Sequence, residues 1–118
     1  MTIQESAEMY LETILILNKE KGSVRAIDVA KKMNYSKPSV SRAMKNLSGE
    51  GYISINEDGF IQLLPKGKRI AVKIYERHEV LTAYFISLGI SARTAEDDAC
   101  RIEHVISDET FKAIKKLI

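Results

Sequence analysis

Residues 25–49, RAIDVAKKMNYSKPSVSRAMKNLSG, decide the fold. Ile27, Val29, Ala30 and Met33 recur at helical spacing, which predicts a short helix over residues 25–33. Asn34-Tyr35-Ser36 reads as a turn, with Ser36 able to cap the helix that follows. Pro38 suits the first turn of that helix, where its missing N–H costs nothing. Val40, Ala43, Met44 and Leu47 then repeat the spacing to about Gly49. A helix, a short turn and a second helix phased in this way make a helix-turn-helix.

The flanks extend the motif. Before it, residues 3–19 form an amphipathic helix with Met9, Tyr10, Leu11, Ile14 and Leu17 on a broad apolar face, ended by Gly22. After it, Tyr52-Ile53-Ser54-Ile55 and Phe60-Ile61-Gln62-Leu63 alternate on either side of Asn56-Glu57-Asp58-Gly59. Asp-Gly between alternating segments predicts a hairpin, and a hairpin directly behind a recognition helix is a wing. Pro65 and Gly67 mark a boundary. Beyond it come a long helix over 65–87, a helix over 92–106 capped by Ser91, and a last one from Ser107-Asp108-Glu109 to Leu117. The expectation is a mainly α fold. An N-terminal winged helix-turn-helix, three helices plus a β-hairpin wing, occupies residues 1–64, and a helical module occupies 65–118.

Charge separates the two modules. Between Lys21 and Glu50, seven basic side chains (Lys21, Arg25, Lys31, Lys32, Lys37, Arg42, Lys45) face two acidic ones (Asp28, Glu50), in a chain whose net charge is only +2. One half is therefore suited to nucleic acid and the other to a different task. A single cysteine excludes an internal disulfide and fits a reducing cytoplasm. No signal peptide is expected from the polar, acidic N-terminus, and no apolar run reaches transmembrane length.

A recognition helix reads base edges in the major groove with its N-terminal residues. Here these are Ser36, Lys37, Pro38, Ser39, Ser41 and Arg42. Arg42 is suited to bidentate guanine contact and Pro38 to a thymine methyl, while Ser39 and Ser41 offer hydroxyls to base or phosphate. Lys37 and Lys45 suit phosphates, and Arg25 can reach one from the preceding helix. The wing tip, Glu57 and Asp58, is acidic and a poor phosphate binder. The competing use of such a module is protein interaction.

The second task is legible in Cys100-x-x-Glu103-His104. On a helix, at about 100° per residue, these positions share one face. The chain has one cysteine and two histidines, and one of each lies in this run. Met9 and Glu12, an i, i+3 pair on the first helix, and His78, in the long helix, are further donors available to close over that face. Sulfur, imidazole and carboxylate together suit Fe(II), Co(II), Ni(II) or Zn(II) better than Mg or Ca. No nucleophile with a base, no phosphate loop and no acid/base carboxylate pair accompanies them, so the chain does not read as an enzyme. A structural metal and a redox switch on Cys100 are the alternatives to a regulatory metal.

Glu8-Met9-Tyr10-Leu11, the winged motif and Asp98-Ala99-Cys100-Arg101-Ile102-Glu103-His104-Val105-Ile106-Ser107-Asp108-Glu109 resemble the diphtheria toxin repressor family, metal-dependent bacterial repressors with iron and manganese branches. The resemblance covers essentially the whole chain. It implies Met9, Cys100, Glu103 and His104 as ligands of an activating site of the iron type, and His78 as a ligand of an ancillary one. It places Ser36, Pro38 and Arg42 near bases. Thr82 and Glu96 stand where the iron branch has a carboxylate and a histidine, and the resemblance does not extend to that branch's SH3-like third domain. Glu12 matches a ligand of the manganese branch, which carries Asp at the position of Met9 and Glu at that of Cys100. The resemblance thus implies a cytoplasmic homodimer whose C-terminal module binds metal and dimerises. Fe(II) comes first and Mn(II) second, Co(II), Ni(II) or Zn(II) can substitute in vitro, and a palindromic double-stranded DNA operator controls metal-uptake genes.

Overall fold

The structure is a computed structural model describing the backbone of residues 3–118 and the side chains of residues 4–118. Its elements are α1 (Ile3–Lys21), α2 (Ala26–Met33), α3 (Lys37–Gly49), β1 (Ile53–Ile55), β2 (Ile61–Leu63), α4 (Pro65–Ser87), α5 (Ala92–Ile102) and α6 (Asp108–Lys115). The chain divides into two compact units between Val72 and Lys73, inside α4. No helix among the described residues is long and apolar enough to cross a membrane.

In the first unit α1 contributes Leu11 and Ile14, both wholly buried, to a core shared with Val24, Val29, Val40, Met44, Ile53 and Ile61. All but Val24, which lies between α1 and α2, are positions that the helical and alternating periods select, and their burial drives the assembly. α2 begins one residue later than its apolar pattern, because Arg25 stays extended as N-cap while its N–H donates to Asp28 Oδ2 at 2.8 Å. Asn34 ends α2 in the left-handed region, φ 57°, and donates its N–H to the Ala30 carbonyl. Asparagine tolerates this conformation better than most side chains. Ser36 caps α3 by accepting from the Ser39 N–H at 3.3 Å.

The strands are one residue shorter than the alternating segments. β1 and β2 pair antiparallel, with Ile53 opposite Leu63 and Ile55 opposite Ile61. The Asn56 side chain organises the turn, its Oδ1 accepting from Asp58 and Phe60 N–H at 3.0 and 2.9 Å. Gly59 supplies the positive φ (84°) that closes the loop. On its other edge β2 is tied to the start of the helix-turn-helix, where the Ile61 N–H donates to Val24 O at 2.8 Å. The wing therefore hangs on both the extended residues Val24 and Arg25 before α2 and the end of α3.

The second unit packs Val80, Leu81 and Phe85 of α4 against Ala99 and Ile102 of α5 and Phe111 and Ile114 of α6. Ser91 and Ser107 are N-caps of α5 and α6, accepting from Thr94 and Thr110 N–H. The helix expected over 92–106 ends at Ile102, with Glu103 as its C-cap. Ser107 must be extended to cap α6 (ψ 156°), so the chain has to leave the α5 axis before it. The last helix likewise stops at Lys115, short of Leu117, which is 71% exposed and has no core to reach.

Candidate nucleic-acid interface and metal centre

In the first unit α3 turns Val40, Met44 and Leu47 inward, which leaves Lys37, Pro38, Ser39, Ser41, Arg42 and Lys45 exposed. Lys37, Pro38, Ser41, Arg42 and Lys45 follow i, i+1, i+4, i+5, i+8 spacing, so they share one face. Ser36 is committed locally: besides its capping bond, its Oγ donates to Ser39 Oγ at 2.8 Å. Arg42 Nη2 reaches the same Ser39 hydroxyl at 3.5 Å. Arg25 is exposed, and its guanidinium lies over the Phe60 ring at 4.4 Å from the centroid. A cation–π contact holds this arginine against the wing. Tyr35, 41% exposed in the turn, meets Tyr10 of α1 edge to face at 6.2 Å, so α1 braces the turn before the recognition helix.

Met9 and Glu12 also lie on α1. The Met9 carbonyl accepts from Thr13 Oγ1 at 2.8 Å, and Glu12 is buried although charged.

In the second unit the structure brings His78, Glu103 and His104 together. Glu103 is wholly buried. Its Oε2 lies 2.9 Å from His78 Nδ1, and its Oε1 lies 3.3 Å from His104 Nε2. The His104 side chain is 4% exposed and that of His78 26%. A buried carboxylate is tolerated only with close compensating partners, which the two imidazoles provide. Cys100 lies on α5 and is exposed, so the single helical face expected for Cys100, Glu103 and His104 is not formed, because α5 ends at Ile102 and the chain turns through Glu103 and His104. His78, which the family resemblance allots to an ancillary site, thus shares the carboxylate of the main run.

The donor set fits a divalent transition metal. Ligand atoms about 2.1 Å from one cation are themselves roughly 3.0–3.4 Å apart in octahedral or tetrahedral arrangement. The Glu103 Oε1 to His104 Nε2 spacing of 3.3 Å falls within that range. Imidazole and carboxylate together suit a borderline ion.

Sequence reasoning missed Arg77. Buried on α4, it donates from Nη1 to the Glu103 and Ile106 carbonyls at 3.1 and 2.8 Å and from Nη2 to Asp108 Oδ1. That bond, with Lys73 close by, holds the Asp108 carboxyl below its ordinary range. An arginine beside a histidine looks like surface charge, yet Arg77 stands on the helical stripe of Ala71, Ile74 and Leu81, all buried, and that spacing was the signal that could have found it.

A winged helix-turn-helix with a basic, exposed recognition face, joined in one chain to a helical unit built around a His–Glu–His cluster, has the make-up of a DNA-binding regulator with a candidate metal centre. The comparisons identify which. The N-terminal DNA binding domain of the iron dependent repressors matches residues 2–59, and their metal binding and dimerisation domain matches residues 64–118. The transcriptional regulator MntR of Salmonella typhimurium is 33% identical over 110 residues, 93% of this chain and 70% of that protein. The diphtheria toxin repressor of Corynebacterium diphtheriae is 28% identical over 115 residues, 97% of this chain and 51% of its own length. The solved structure of the manganese regulator SloR superposes with a TM-score of 0.82 at 26% identity, over 99% of this chain and 54% of that one. This chain belongs to the iron-dependent repressor family, which consists of DNA-binding transcriptional regulators and not of enzymes. It spans about half the length of the diphtheria toxin repressor and of SloR.

Proposed function

We propose that the chain is a metal-activated repressor that binds a palindromic operator as a homodimer in the cytoplasm. The observation that carries the reading is the wholly buried Glu103 carboxylate set between His78 and His104, in a chain whose other unit is a winged helix. Met9, Cys100, Glu103 and His104 are proposed as the activating ligands, with His78 and Glu12 completing a second site. The sulfur donors Met9 and Cys100 favour Fe(II) over Mn(II), which prefers oxygen and nitrogen. The manganese regulators among the relatives support Mn(II) as the second choice.

When bound, the cation supplies the positive charge that gathers anionic and neutral donors around one point. Glu103 and His104 offer it carboxylate and imidazole from the end of α5. Met9 and Glu12, as ligands, would fix α1, which packs on α2 and β2 and braces Tyr35 before the recognition helix. Ligation that favours the DNA-competent state shifts the population toward it, and by linkage DNA tightens metal binding equally. On the operator, Arg42 reads a base, Pro38, Ser39 and Ser41 lie against base edges or phosphate, and Lys37, Lys45 and Arg25 hold phosphates. Two recognition helices in a dimer read half-sites about 34 Å apart. Leu88, Val105 and Leu117, exposed apolar side chains of the second unit, offer surface to the partner copy.

The relatives support metal control over the thiol switch on Cys100. The test is operator binding followed by fluorescence anisotropy during anaerobic titration with Fe(II) and Mn(II), against a chelated control. Tightening by either ion is expected. Equal affinity in chelator ends the activation reading and leaves the metal structural.

A further inference from the structure

We propose that Arg77 is a positioning residue for the metal ligands, setting the backbone that carries Glu103 and His104. The inference rests on the metal reading above. At the end of α5 the carbonyl groups run out of helical N–H partners. Arg77 supplies donors there from a different helix. Its Nη1 binds the carbonyls of Glu103 and Ile106, at 3.1 and 2.8 Å, and its Nη2 binds Asp108 at the start of α6. The Phe111 ring lies 5.5 Å from the guanidinium carbon, so the fork is packed on one side.

Its neighbour on α4 completes the grip. His78 Nδ1 meets the Glu103 carboxylate at 2.9 Å, so consecutive residues hold the side chain and the main chain of the same glutamate. The connection from Glu103 to Asp108 is pinned at three points by one planar group. Only arginine has donors spread widely enough for this, since lysine is a single point charge on a flexible stem. Asp108 also balances the guanidinium charge, so Arg77 can stand close to a cation site without simply repelling its occupant. Groups that orient metal ligands typically change metal affinity roughly 10–100-fold when lost.

The experiment uses the full chain and Co(II), whose visible absorption reports ligand geometry, with Mn(II) as competitor. Wild type, R77K, R77M and F85L are titrated, and the thermal midpoint of each metal-free protein is recorded. R77M is expected to weaken Co(II) binding roughly 10–100-fold and to alter the absorption envelope, with R77K partly restoring both. F85L thins the core of the second unit about two turns along α4 from Arg77. It should lower the midpoint while Co(II) affinity stays within about twofold of wild type. Wild-type Co(II) affinity and spectrum in R77M, beside a lowered midpoint, would show a purely structural arginine and overturn the proposal. Should R77M not fold, D108A decides, because it removes one exposed acceptor of the Arg77 fork. A loss of about threefold or more is expected, and no change overturns the proposal. A wild-type protein without any Co(II) absorption overturns the metal reading itself, an outcome distinct from the others.

Discussion

Gly67→Ala tests how the wing is mounted on the first unit. In the first turn of α4 the backbone passes so near Tyr52 that a Cβ at position 67 would stand 2.2 Å from the Tyr52 carbonyl oxygen and 3.0 Å from its carbon, with Leu11 Cδ2 at 3.3 Å on another side. The first distance is more than about 1 Å inside ordinary contact. The obstructing atom is backbone, and it already accepts from the Leu64 N–H at 3.0 Å, closing the base of the hairpin. Relief therefore means moving either the α4 start or the wing. Overpacking of this kind costs about 3 kcal/mol, and alanine's better helix propensity returns about 1 kcal/mol. The net loss of about 2 kcal/mol corresponds to roughly 10 °C in the thermal midpoint of a unit this size. Gly49→Ala is the control: it sits in the last turn of α3 with nothing within 4 Å of the added carbon, and should be stabilising by about 0.5–1 kcal/mol. Thermal unfolding by circular dichroism compares the two. If Gly67→Ala unfolds at or above the wild-type temperature, α4 does not approach Tyr52 and the account of the wing is wrong.

Three further outcomes are expected. Arg42→Ala should relax operator preference at one base pair by about 1–3 kcal/mol, whereas Lys45→Ala should weaken all sequences alike and reduce the salt slope by about 0.9; identical salt slopes for Lys45→Ala and wild type would remove the phosphate role. Glu103→Gln should abolish metal-dependent operator binding while the metal-free protein still folds, checked by anisotropy beside circular dichroism; a retained metal response would exclude this carboxylate as a ligand. The Asp28 carboxyl is held below its ordinary range by the Lys21 ammonium and by the Arg25 N–H. The folded state thus binds fewer protons than the unfolded one below pH 5, so this contribution is full above the ordinary aspartate pKa and vanishes as pH falls through the lowered one. Asp28→Asn should flatten part of the acid side of a melting-temperature titration, and superimposable acid limbs would contradict it.

Some elements announce themselves because their causes are local. The Ser36 cap, Pro38 in the first turn and the Val40, Met44, Leu47 stripe all act within one helix, and α3 runs to Gly49 as its pattern indicates. The wing follows from alternation about Asn56 to Gly59, although its turn is built on the Asn56 side chain as much as on Asp-Gly. The end of α5 is different. Apolar Val105 and Ile106 continue the helical pattern past Ile102, but the chain must turn so that Ser107 can cap α6. The position of Gly67 is also non-local, since its closeness to Tyr52 depends on where the wing returns.

The same division runs through the candidate centre. Cys100, Glu103 and His104 would share a face if the helix ran on through residue 104, but α5 ends at Ile102 and leaves Cys100 exposed while Glu103 is wholly buried. By itself the sequence determined the order of elements, the recognition face and this cluster of donor types, since each depends on short-range periodicity and side-chain chemistry. Only the tertiary structure decided that His78 bonds the Glu103 carboxylate and that Arg77 is buried on the carbonyls of Glu103 and Ile106. Those partners lie 25 to 29 residues apart along the chain. Contacts at that separation arise from the packing of α4 with α5 and α6, which no local pattern of residues encodes.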